Sequence, residues 1–178
     1  MRFPALFRRG ARFLDRLSPD SRRRQRMIRS QALSGWAAAG RRDFELVLVR
    51  YRPDAVYEFT PGLVTLGLPA RLEGTDIWME AVTDWAEAWA EWEYTLSFIV
   101  DLGPLVVTLG RFAARAAASG LDVELEYAQV MEMRDGLVSR ERDFNDWPEA
   151  MRAAGIDPSV LPHLEALGPA TVLRLGGE

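Results

Sequence analysis

The chain has 178 residues, nearly half of them apolar, room for one domain with a sizeable core and terminal extensions; it has no cysteine, and its single histidine, His163, sits in a proline-flanked tail, which excludes disulfides, thiolate metal sites, cysteine nucleophiles and a Ser-His-Asp relay. No apolar run approaches the roughly 18 residues needed to span a bilayer, and no cleavable apolar stretch follows the N-terminal arginines, so a cytoplasmic location is the default expectation. The net charge of −4 hides an asymmetry, because residues 1–29 hold ten arginines against Asp15 and Asp20 and the rest of the chain is strongly acidic.

In the basic arm Phe3, Leu6, Phe7, Phe13, Leu14 and Leu17 recur at helical spacing with arginines between them. The pattern suits an anionic membrane or nucleic acid. Beside an acidic body, the preferred reading is a clasp that docks on the domain or on a dimer partner. Residues 30–39 then read as a helix ended by Gly40, and Asp43 caps a second helix with Phe44, Val47, Leu48 and Tyr51 on one face. Pro53 and Asp54 interrupt the pattern, 55–59 alternates as a short strand, and a Gly/Pro-punctuated connection leads to Gly74. Thr75 opens a third helix whose inner stripe is Ile77, Trp78, Ala81, Trp85, Ala88, Trp89 and Trp92, with Glu80, Asp84, Glu87 and Glu91 opposite. Tryptophans so spaced are read first as packing, although they can also roof a cavity.

Strands are predicted over 94–100, 105–114, 123–133 and 138–144, an antiparallel meander. The link Arg134-Asp135-Gly136 decides which side chains share a face. A two-residue Asp-Gly turn pairs Ala128 with Asp143 and Gln129 with Arg142, crowding Asp143 with Glu124, Glu126 and Glu132. A three-residue loop instead pairs Glu132 with Val138, Val130 with Arg140, Ala128 with Arg142 and Glu126 with Phe144. It leaves Leu125, Tyr127, Gln129, Met131, Met133, Glu141 and Asp143 on the other face. The second is preferred, because opposite charges across strands gain roughly a few tenths of a kcal/mol each and like charges lose as much. A short helix over 149–154 stops at Gly155, and the tail holds one helical segment near 159–166, giving a basic extension over 1–29, a domain over 30–155 and a tail over 156–178.

Helix, helix, strand, helix and then long strands closed by Arg134-Asp135-Gly136-Leu137-Val138 resembles the SnoaL-like superfamily of the nuclear transport factor 2 type over roughly residues 30–155. Ala39-Gly40 before Asp43-Phe44-Glu45, then Tyr51-Arg52-Pro53-Asp54-Ala55-Val56, is similar to the family's second-helix opening and first strand. Leu72-Glu73-Gly74-Thr75-Asp76 is similar to its third-helix start, and 124–142 to its final hairpin. The resemblance implies an α+β fold in which a cone-shaped curved antiparallel sheet is wrapped by three helices around an apolar pocket, and relatives that are commonly dimers through the sheet. It does not settle activity, since the superfamily holds isomerases, cyclases, hydrolases, dehydratases and proteins without chemistry.

Steroid isomerases of this fold place a base, a tyrosine and an acid where this chain has Phe59, Trp36 and Gln129, so that reaction has no base here. Limonene-type epoxide hydrolases use an Arg-x-Asp where this chain has Gly110 and Phe112, but Arg142-Asp143-Phe144 resembles their last-strand motif and Tyr57 falls where a water-orienting tyrosine is expected. SnoaL-type cyclases also place an aspartate base at a position like Asp143. The residues support this carboxylate independently: on a face with Leu125, Phe112, Tyr127 and Met131 it is desolvated and its pKa raised, with Glu141 adding like-charge repulsion. Gln129 offers amide donors to a substrate oxygen, and Tyr127 can orient water or substrate.

Two readings stay open. In one, an apolar small molecule enters a pocket lined by Trp36, Tyr57, Phe59, Trp85, Trp89, Phe112, Tyr127, Met131 and Glu141, and Asp143 removes a proton or activates water, helped by Tyr57 and Gln129; in a non-catalytic reading Asp143 accepts hydrogen bonds from Tyr127 or a tryptophan N–H and Glu141 lies near the pocket mouth in water. In the other, the same fold binds a ligand without chemistry or uses the sheet's outer face to form a homodimer. No cofactor and no metal are expected, because no cluster of ligating residues with suitable spacing is present.

Overall fold

The computed structural model of the chain describes residues 11, 13–18, 21–165 and 171–173; the arm residues Phe3, Leu6 and Phe7 lie outside them. Helix α1 (Arg22–Gly40) is capped by Ser21, whose side chain accepts from Arg24 N–H. Asp43 caps the short α2 (Phe44–Leu48) in the same way. Strand β1 (Tyr51–Phe59), a single helical turn α3 (Pro61–Val64) and β2 (Arg71–Glu73) follow. Helix α4 (Thr75–Glu87) leads into the long strands β3 (Trp89–Asp101), β4 (Leu105–Ala116), β5 (Asp122–Arg134) and β6 (Leu137–Phe144). Helix α5 (Trp147–Ala153), the short α6 (Leu161–Glu165) and β7 (Thr171–Leu173) complete the chain. No helix among the described residues is long and apolar enough to cross a membrane.

The strands form one curved, unclosed sheet in the order β2-β1-β6-β5-β4-β3-β7. The meander β3–β6 is antiparallel as expected, while β1 runs parallel to β6 and β7 parallel to β3, so the sheet is mixed. Its inner face packs against the helices through Phe44, Val47, Tyr57, Trp78, Trp85 and Phe112. The outer face is divided. Its apolar half, with Phe98, Val100, Leu109, Val130 and Phe144, is covered by Trp147 and Met151 of the chain's own α5. Its other half carries ion pairs such as Arg140–Glu58 and Arg111–Glu124. A homodimer through this face would therefore have only its charged half to use.

Helix α1 starts eight residues before the predicted helix and runs through the expected boundary at 29/30. Arg24 is the reason: it occupies the buried stripe with Ile28, Ala32 and Trp36, so the stripe begins with a charge. Its guanidinium grips Asp101 through Nε (2.7 Å) and Nη2 (2.9 Å), and donates to the carbonyls of Leu14 (2.7 Å) and Gly103 (2.5 Å). Every donor direction of this buried arginine that faces protein is met, as such burial requires. Leu14 is buried on Ile28, Trp36 and Ile99, whereas Phe13 is exposed. This end of the basic extension is thus tied to its own domain.

Two further predicted features differ. Helix α4 ends at Glu87, so Trp89 and Trp92 belong to β3, and Ile77 of the expected inner stripe is exposed. The β5–β6 hairpin adopts neither weighed register. Asp135 and Gly136, at φ 55° and 72°, form a two-residue turn that pairs Arg134 with Leu137 and Met133 with Val138. A bulge at Ser139 then advances β6 by one residue, pairing Glu132 with Arg140, Met131 with Glu141 and Gln129 with Asp143. The inserted residue restores the parity of the three-residue loop, which turns Glu141 and Asp143 inward.

Candidate functional site

Behind the inner face lies a cavity of ≈ 100 Å³, lined by α1, α2, α4 and strands β1 and β3–β6. Of the residues singled out in the sequence, Asp143, Gln129, Glu141, Trp36, Phe59, Trp85, Tyr127 and Met131 line it. Tyr57, Trp89 and Phe112 do not; they are buried in the packing behind the lining. Tyr57 packs between Tyr51 and Trp78, with ring centroids at 5.3 and 5.5 Å, and among the described residues its buried hydroxyl has no partner. Trp89 and Phe112 pack edge to face at 5.7 Å.

Gly110 has a local cause. A Cβ there would collide with the Trp36 ring and with Thr95 O, so the indole occupies the space a side chain at 110 would fill. Trp36 in turn packs edge-on against Tyr94 and Tyr127, each at 5.8 Å. Its Nε1–H donates to Gln129 Oε1 (3.0 Å), which also accepts from Thr108 Oγ1 (3.1 Å). With its carbonyl oxygen so occupied, the Gln129 amide turns its NH₂ toward Glu141 and Asp143 and favours their ionised forms. Gln129 thus stands beside the two acids with its amide donors on their side.

Glu141 and Asp143 are each 3% exposed, so Glu141 lies inside the cavity and not in water at its mouth. Burial pushes Glu141 up to about 7, against the opposing effects of the Tyr51 hydroxyl, which donates to its Oε2, and of Arg50. Burial raises Asp143 well above the carboxylate range, and the Glu141 charge raises it further; Tyr127 and Gln129 temper the rise. Asp143 Oδ1 is buried and has no hydrogen-bond partner among the described residues. The two carboxyls thus share a dry site that resists a second negative charge.

Sequence reasoning missed Arg50 and Tyr51 as site residues. A second helix expected to run through Tyr51 leaves Arg50 on a solvent face, but the helix ends at Leu48 and the chain turns Arg50 inward. Its guanidinium lies against Gly35, where a Cβ would overlap it, and donates to the carbonyls of Gln31 and Val47. Burial lowers its pKa, opposed by the charges of Tyr51 and Glu141.

Comparison with known proteins agrees with this architecture. No curated protein matches the chain. Among solved structures, TerC co-crystallised with polyporic acid is 22% identical with a TM-score of 0.58, over 66% of this chain and 89% of that one. An NTF2-like protein of unknown function from Burkholderia pseudomallei is 23% identical with a TM-score of 0.60, over 69% and 93%. A protein with a ketosteroid isomerase-like fold from Catenulispora acidiphila, in complex with trimethylamine, is 10% identical with a TM-score of 0.57, over 71% and 92%. At these identities the likeness is one of fold. A family model described as the SnoaL-like domain matches residues 33–141, more than half of the chain, and so this protein belongs to the SnoaL-like domain family.

Proposed function

We propose that the cavity binds an apolar small molecule and that Glu141 and Asp143 act on it as an acid–base pair. The observation that carries the reading is Asp143 Oδ1, an enclosed carboxyl oxygen without a partner beside a second buried carboxyl in an aromatic-walled hollow. A protein gains nothing in stability by burying two such groups; their raised pKa values suit proton transfer near neutral pH. Glu141, near 7, is the base. Asp143, which keeps its proton, is the acid, a reversal of the role expected for it from sequence. The Glu141 carboxylate takes a proton from a carbon beside a carbonyl group, and Asp143 hydrogen-bonds the oxygen on which the negative charge collects. Return of the Glu141 proton to the same or another carbon releases product, with atoms and charge conserved. Crystallisation of one structural neighbour with polyporic acid and of another with trimethylamine is compatible with a small-molecule site.

The test is hydrogen–deuterium exchange at the α-carbons of cyclohexanone in D₂O, followed by proton NMR. Wild-type protein should accelerate exchange above buffer, and Glu141→Gln should abolish the acceleration. Saturable binding of the ketone without accelerated exchange would favour the ligand-binding reading, which Phe59, Gly110 and Phe112 support by standing where catalytic relatives keep polar groups.

A further inference from the structure

We infer that Arg50 makes the cavity selective for an anion, so that its occupant is an apolar compound of about one ring carrying a single acidic oxygen group, seated against the free edge of the guanidinium. This deepens the small-molecule reading above and rests on it.

Arg50 is a lining residue, yet no carboxylate among the described residues pairs with it. Nε donates to Val47 O at 3.3 Å and Nη1 to Gln31 O, while among the described residues no acceptor meets Nη2. The fold builds room for the group: residue 35 lacks the side chain that would displace both Nη atoms, and Gly35 faces the cavity on helix α1. A guanidinium does not give up its proton in a protein, so a half-buried one with no carboxylate in ion-pair reach is stabilised when an anion arrives. Burial raises both carboxyls of the lining, Glu141 and Asp143, so that near pH 7 they do not each carry a full negative charge, whereas Arg50 stays charged. Its bound edges hold it in place, and carboxylate recognition is what a planar, weakly hydrated guanidinium does best. Size sets the rest. An apolar cavity of about 150 Å³ accepts benzene, and this one, at ≈ 100 Å³, is smaller, so a single ring is the upper bound for the enclosed apolar part of the occupant. The tryptophan-rich wall would by itself attract a cation through the ring faces. Arg50 opposes that occupant.

Three probes of one size and different charge decide the matter: benzoate, benzamide and protonated benzylamine, titrated at pH 7 against tryptophan fluorescence, since Trp36, Trp78, Trp85 and Trp92 line the cavity. Benzoate should bind at least about tenfold more tightly than benzamide, and benzylamine most weakly. Arg50→Met removes the charge. Gly35→Ala keeps it but pushes the flexible guanidinium off its seat, so a folding defect in either variant alone does not block the test. In each folded variant the preference for benzoate over benzamide should fall to within about twofold. Equal binding of benzoate and benzamide by wild type, a preference for benzylamine, or an anion preference that survives both substitutions would overturn the inference and leave the pocket reading standing. Saturable binding of none of the three would instead overturn the pocket reading itself.

Discussion

Replacing Glu141 by glutamine should stabilise the protein at alkaline pH and leave it almost unchanged near pH 4.5. Burial holds the Glu141 carboxyl at about 7 in the folded chain, against 4.5 for the free group. Because the folded state binds this proton more tightly than the unfolded chain does, the stabilisation is full below the lower value. It is lost as pH rises through the higher one. At about 1.4 kcal/mol per pH unit, the loss by pH 8 is roughly 3 kcal/mol, or about 6–12 °C in Tm for a chain of this size. Asp143 adds a loss of the same sign. Glutamine cannot ionise and still accepts the Tyr51 hydroxyl, so it avoids the loss. Urea denaturation of wild type and Glu141→Gln between about pH 5 and pH 8 measures the difference. Asp54 and Asp157, whose hydrogen bonds hold them below the usual range, lose their contribution only as pH falls below about 4 and do not enter this window. A gap between the two proteins that stays constant over the range would refute the argument, since it would mean that folding does not perturb the carboxyl.

Other substitutions test other parts of the account. Asp101→Ala strands the buried Arg24 guanidinium and should cost about 3–5 kcal/mol in chemical denaturation. Gly110→Ala puts a methyl group into the Trp36 ring and the Thr95 carbonyl, and should cost about 1–3 kcal/mol while shifting the tryptophan emission spectrum. Trp147→Ala empties the contact with Phe98 and removes the Nε1–H bond to Gly110 O, for a cost of about 3–5 kcal/mol by the same measurement.

The fold was legible where periodicity and turn residues agree: the four long strands, the Asp43 cap, the opening of the third helix at Thr75 and its buried Trp78 and Trp85. It was obscured where a charge stands in an apolar stripe, as Arg24 does in α1. Hydropathy reads an arginine as solvated, and only its distant partner Asp101 explains its burial. The hairpin shows a right outcome from an incomplete cause. Charge pairing identified which face holds Glu141 and Asp143, but no local signal marks Ser139 as a bulge, although its hydroxyl donates to Glu132 O across the hairpin. Tyr57 and Phe112 were read as lining the pocket, but alternation along a strand cannot separate residues that line a cavity from those packed behind it, and Trp89 was read on a helix that in fact ends before it. Arg50 was invisible for a third reason: its inward turn depends on where α2 stops and on the missing side chain at Gly35, on another helix.

Carbon-13 NMR titration of the side-chain carboxyls of Glu141 and Asp143 tests the central claim most directly. The account predicts that Glu141 titrates near 7 and that Asp143 still carries its proton when Glu141 has lost its own. Ordinary titration of both carboxyls, at about 4, would contradict it, because it would put them in water and not in a closed aromatic hollow.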